Sequence, residues 1–193
     1  FGITPIARIP NHDASTILRF LDRGVQGIIV PHVNTRSQAE AVTEAARYHP
    51  EGGRGVGGGR AHDYGINTTR SESTKFVNDN ILVIPMIEEV EAIKNVGEIA
   101  SVEGVDVLHV APGDLGQSMG NPPQSEIREA MDKVVPQIRG AGKWVGVGGN
   151  SPSDVERVSD LINLGANMIT IAAQGLMKSG AESFRKSVEN HLT

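Results

Sequence analysis

The chain has 193 residues, enough for one substantial hydrophobic core and one domain, taken here as residues 1–193. With 21% charged residues and a formal net charge of -5 it has no chain-wide basic field for nucleic acid or an anionic membrane, and acidic small molecules need local Arg residues to offset that charge. It has no cysteine, so disulfides, thiolate metal sites and cysteine nucleophiles are excluded together; this fits a reducing, cytoplasmic setting.

Six apolar segments follow in chain order: residues 5–9, 27–31, 81–88, 105–111, 144–149 and 168–173. Most are continuous apolar runs rather than alternating ones, the pattern of parallel strands covered by helices. No run approaches the roughly 18 apolar residues of a membrane-spanning helix, and no secretory leader is visible. Before four of the strands a helical stretch ends near a glycine: Gly24, Gly104, Gly142 and Gly165. Such a glycine serves as a left-handed cap that turns the chain back toward the sheet. The phrase is that of a repeated βα unit.

The connecting segments carry the matching helical period. Ile127, Met131, Val134, Val135 and Ile138 fall on one stripe, and Val155, Val158, Leu161, Ile162 and Leu164 on another. Ser151-Pro152-Ser153-Asp154 predicts a helix start with a capping hydroxyl, a first-turn proline and an early acid. Pro136 falls within the longest predicted helix and is expected to kink it. Residues 49–72, rich in Gly and Arg, are too long for an ordinary connection and have the length of a functional lid. The glycines of residues 52–60 do not sit between a strand and a helix with nucleotide-loop spacing, which argues against a dinucleotide site.

Two of the strands end on carboxylates, Ile81 to Glu88 and Val105 to Asp114. A parallel α/β scaffold that delivers acids to the carboxyl ends of successive strands builds a site for a hard divalent cation. Arg8 closes the first strand ahead of Pro10, and His32 follows Val30-Pro31 at the end of the second, where a titratable group is well placed to bind a carboxylate or move a proton. His109 lies inside a strand and reads as a packed residue. Six strands leave two architectures open, a doubly wound open sheet and a (β/α)₈ barrel, and length alone favours the open sheet.

The segments Ala7-Arg8-Ile9-Pro10, Asp22 through Pro31, Tyr48-His49-Pro50-Glu51-Gly52, Arg54-Gly55, Ile87-Glu88 and Val105 through Leu115 are collinear with, and similar to, those of the HpcH/HpaI aldolases. The resemblance implies an α/β fold of the TIM (β/α)8 barrel type with six units in this chain. The two absent strands would then be the first two, with the family's His–Asp base preceding Phe1. It implies a class II lyase that cleaves a 4-hydroxy-2-oxo acid to pyruvate and an aldehyde through a metal-bound pyruvate enolate. Glu88 and Asp114 then match the ligands of Mg²⁺ or Mn²⁺, with Co²⁺ as a further option. Arg8 matches the residue that offsets developing oxygen charge, and Gly113 a turn whose backbone approaches the substrate carboxylate.

Two residues depart from the commonest pattern. Met86 stands in the substrate pocket where many members have Gln, and His32 is shared with the branch resembling macrophomate synthase, which decarboxylates oxaloacetate. A citrate-lyase β-like enzyme and a non-catalytic 2-oxo-acid-binding protein are the other readings. The resemblance also implies a homo-oligomer, commonly a hexamer, with residues 180–192 as the start of a helix exchanged between protomers.

Overall fold

A computed structural model describes residues 2–192 and shows six parallel strands in one curled sheet, a half-barrel with helices on its outer face. The strands are β1 (Ile6–Arg8), β2 (Gly27–Val30), β3 (Leu82–Ile87), β4 (Val107–Val110), β5 (Trp144–Asn150) and β6 (Met168–Ile171). They lie side by side in sequence order, and every pair is parallel. All six predicted segments therefore become strands, five of them shorter than their apolar runs and β5 one residue longer. The order β1 to β6 without a reversal rules out a doubly wound sheet, which needs strand order to turn back on itself.

The helices follow the same logic. After α1 (Ala14–Asp22) and α2 (Arg36–Ala46) come α3 (Arg70–Asn80), the short α4 (Val90–Lys94), α5 (Val96–Ala100) and α6 (Pro112–Ser118). Then follow α7 (Gln124–Gly140), α8 (Val155–Leu164) and α9 (Ala173–Leu192). Thr35 and Thr69 each open their helix with a reciprocal capping box, to Gln38 and Glu72. The predicted stripe of α7 is buried in full, from Ile127 to Ile138. Pro136 sits on the exposed side of α7 and the helix continues through it, because the carbonyl it leaves unpaired is not in the core and Val134, Val135 and Ile138 anchor both flanks. The longest helix is α9 instead.

At the start of α8 the cap is Asp154, whose carboxylate accepts the Arg157 N–H, while Ser151 turns the chain before it through its contact with Ser153. Of the α8 stripe, only Leu161 is fully buried.

Residues 49–69 fold against the amino end of the strands, not over their carboxyl end as a lid would. Arg54 pairs with Asp22 at 2.8 Å and stacks on Tyr48, while the His62 ring is buried between the Tyr48 hydroxyl at 2.7 Å and Ser73 Oγ at 2.9 Å. The side chain of Arg60 lies 3.1 Å from where a Cβ of Gly24 would stand. The segment thereby walls a cavity of about 680 Å³ whose other side includes Val25, Gln26 and Ile81, immediately before β2 and β3. Beside it, buried Arg47 ties the same end together through Gly104 O, Asn78 O and Asp106, whose carboxylate also accepts the Val83 N–H. The amino end is a locked base, and the carboxyl end is left open for chemistry.

No helix among the described residues is long and apolar enough to cross a membrane. The helix α9 buries none of its residues, so Leu176, Met177, Phe184, Val188 and Leu192 stand exposed along it.

Candidate active site

The carboxyl ends of the first four strands bring the predicted residues to one rim. Arg8 is the last residue of β1 and is in register with Ile29 of β2, which leads through Val30 and Pro31 to His32. Glu88 follows β3 directly, and Asp114 falls in the first turn of α6, four residues past the end of β4. Parallel pairing alone aligns these ends, since every strand runs the same way.

Glu88 and His32 are in contact. The backbone N–H of His32 donates to Glu88 Oε1 at 2.8 Å, and its ring Nδ1 lies 3.5 Å from the same oxygen. To present that N–H, His32 adopts a φ of 58°, a left-handed conformation that costs a residue with a Cβ about 1 kcal/mol. Strain of this kind persists where surrounding contacts fix it, and here two do. The His32 ring also lies 2.7 Å from Glu89 Oε1, and the second Glu89 oxygen accepts from Asn34 Nδ2 at 2.7 Å. The hydrogen bond from His32 is the largest effect on the Glu89 carboxyl; burial opposes it, and with a weaker bond from Asn34 the balance holds the group below its ordinary pKa. An ionised Glu89 can only accept, so it suits a hydrogen carried on His32 Nδ1.

The other oxygen of Glu88 is the notable one. Glu88 is 1% exposed, and its Oε2 has no hydrogen-bond partner among the described residues. A buried carboxylate oxygen without a donor suits a cation, which supplies the missing positive partner. Asp114, nearby on the rim, is exposed and makes no hydrogen bond or ion pair among the described residues. No cluster of three or more His, Cys, Asp or Glu suited to a metal occurs among the described residues. The 680 Å³ cavity lies at the opposite end of the sheet; the donor chemistry, not the volume, marks this site.

The remaining predicted residues divide. Arg8 is exposed and free of hydrogen bonds and ion pairs among the described residues, at the rim but touching neither Glu88 nor Asp114. Gly113 faces open space: a Cβ there would meet nothing within 4 Å. Met86 is buried on β3 in register with His109 of β4. Glu89, which fixes the His32 ring, and Asn34, which holds Glu89, carry no motif that marks them in the sequence. The doubled acid at positions 88 and 89 was the available signal, since one face of a strand end cannot bury both carboxylates.

Comparison with known proteins identifies the family and the fold. The HpcH/HpaI aldolase/citrate lyase family model matches residues 2–179. The chain is 33% identical over 174 residues to a hydroxypyruvate/pyruvate aldolase of Deinococcus radiodurans, a match covering 89% of this chain and 61% of that protein. It is 38% identical over 146 residues to a 4-hydroxy-2-oxo-heptane-1,7-dioate aldolase of Shigella sonnei, over 74% of this chain and 55% of that one. The chain thus spans a little over half the length of these relatives. The crystal structure of an HpcH/HpaI aldolase/citrate lyase family protein from Burkholderia cenocepacia superposes with a TM-score of 0.84 at 25% identity, over 98% of this chain and 74% of that one. With the family model matching nearly its whole length and relatives at 33–38% identity, on a sheet whose strands run in sequence order, this chain belongs to the HpcH/HpaI aldolase/citrate lyase family.

Proposed function

We propose that the protein is a metal-dependent carbon–carbon lyase of the (β/α)₈ barrel type, cleaving a 4-hydroxy-2-oxo acid to pyruvate and an aldehyde. The observation that carries this reading is the buried, partnerless Oε2 of Glu88 at the carboxyl end of β3. Glu88 and Asp114 hold Mg²⁺ or Mn²⁺, with Co²⁺ as a substitute. When bound, the ion supplies positive charge against which a keto oxygen and its neighbouring carboxylate are held as enolate charge develops.

The chain's own residues do the rest. The His32 N–H fixes one Glu88 oxygen and leaves the other without a protein donor. Glu89 and Asn34 hold the His32 ring with Nε2 basic, placed to take the proton of the substrate hydroxyl as the carbon–carbon bond breaks. Arg8, unpaired and on the same rim, receives the oxygen charge that the cleavage generates. Gly113 leaves space for the substrate carboxylate to approach backbone. The exposed apolar side of α9 is the surface through which copies of the chain associate into a homo-oligomer.

Proton exchange tests the reading directly. Full-chain protein incubated with pyruvate and Mn²⁺ or Mg²⁺ in D₂O is expected to replace the methyl protons with deuterium, followed by NMR, and Glu88→Ala is expected to abolish it. Absence of exchange in the unaltered chain overturns the enolate reading; exchange that survives Glu88→Ala overturns the ligand assignment.

A further inference from the structure

The cavity of about 680 Å³ at the amino end of the sheet has the size and lining of a small-molecule site, and the proposed reaction does not use it. Leu21, Val77 and Ile81 form its buried apolar wall, half-buried Val25 extends that wall, and the 61% exposed Phe76 borders it. These side chains come from α1, α3 and the turns that lead into β2 and β3, so the fold itself fixes the shape of the space.

The charged lining is unevenly satisfied. Glu72 Oε2 accepts from the Thr69 N–H and hydroxyl, and Asp63 Oδ2 accepts from Asn67 Nδ2. Arg60 lines the same space, is exposed, and makes no hydrogen bond or ion pair among the described residues. Its stem is nevertheless held. Cγ and Cδ each lie 3.1 Å from where a Cβ of Gly24 would stand, and that glycine, at a φ of 89°, leaves them the room. Arg54 lies in the same wall with its side chain fully buried. One of its nitrogens pairs with Asp22 at 2.8 Å, and Nε and Nη1 have no acceptor among the described residues. Those two nitrogens are enclosed, so they act on the cavity through their field and not by contact. The field shows at His62, another lining residue. Burial is the largest effect holding its ring below the ordinary pKa; Arg54 comes next, outweighing the opposing Asp22, and Arg70 adds to it. The wall is positive there, and at Arg60 positive charge is open to a ligand.

We propose that this cavity is a second ligand site, taking a small monocarboxylate with an apolar body: the carboxylate pairs with the Arg60 guanidinium, and the body lies against Val25, Phe76 and Ile81. The planar fork of an Arg meets a carboxylate with two parallel hydrogen bonds, and an unpaired fork on a packed stem loses little freedom in doing so. Asp63 and Glu72 set the limit to one charge, since a second carboxylate on the ligand meets them. An ammonium ligand finds both acids already holding donors and meets Arg60 with like charge.

Hexanoate is the probe, with hexylamine and adipate as controls of charge. In the ¹⁵N-labelled 193-residue chain, hexanoate should shift the backbone amides of Gln26, Ala61 and Phe76 most. Its affinity should exceed that of hexylamine and of adipate by at least ~10-fold. Arg60→Gln removes the charge from an exposed side chain and should weaken hexanoate about 10-fold, whereas Arg60→Lys, which keeps the charge, should weaken it less. Shifts centred on the exposed apolar side of α9, equal binding of the three probes, or full affinity in Arg60→Gln would each overturn the proposal. So would the absence of saturation by about 10 mM hexanoate.

Discussion

Glu88→Gln isolates the metal-binding role of Glu88 from any turnover. The Gln amide oxygen keeps an acceptor for the His32 N–H, now at 2.8 Å, and only the charge is lost. A hydrogen bond to a charged group contributes roughly 1.5–3 kcal/mol and a neutral one roughly 0.5–1.5, so metal-free protein should lose about 1 kcal/mol. Glu88→Ala is harsher: it strands that N–H and hollows a site that is 1% exposed, which costs about 2–4 kcal/mol. Free metal at 100 times its dissociation constant stabilises a binding-competent fold by about 2.7 kcal/mol. For a domain of this size that corresponds to a rise in Tm of roughly 5–10 °C. Scanning calorimetry of chelator-treated protein titrated with MnCl₂ reads both quantities at once. The unaltered chain should show the full rise, and the Gln variant a rise of less than about 2 °C from a similar metal-free Tm. Equal metal-induced rises in the two proteins would refute the assignment.

Two further outcomes concern the fold. His62 and His109 are both held below the ordinary imidazole pKa of 6.5, chiefly by burial. The unfolded chain therefore takes up protons first, and their contribution to stability is complete above about pH 6.5 and falls away as the pH drops toward the folded values. Urea midpoints should decline between about pH 7.5 and 5.5, and His62→Gln should flatten that slope; an unchanged slope in the variant counts against a buried neutral His62. Arg54→Ala removes a fully buried guanidinium from Asp22 and from the face of Tyr48, and should cost about 3 kcal/mol in urea unfolding. A loss below about 1 kcal/mol would mean that the amino-end segment is not anchored there.

The strands were legible because a parallel sheet buried on both faces demands unbroken apolar runs, and residues 81–88 and 105–111 supply them. Glu88 was legible for the complementary reason: an acid that ends such a run has no neutral explanation in burial. What the sequence hid was direction and backbone. Residues 49–72 announce themselves by length, yet nothing local says which end of the sheet they cover; that depends on Arg54 meeting Asp22, a contact across 32 positions. The cap of α8 falls to Asp154 rather than Ser151 because only the later residue reaches the N–H of Arg157. The left-handed turn at His32 was equally hidden, since glycine is the residue that usually marks such a turn and none stands there. Its Glu89 partner is 57 residues away.

The order of the strands places the backbone of the acidic rim at the centre of the sheet. β3 and β4 are each paired on both sides and covered by core, so their amides open only when much of the domain does. Glu88 directly follows the first of these strands, so its backbone should exchange its amide hydrogens among the slowest in the chain.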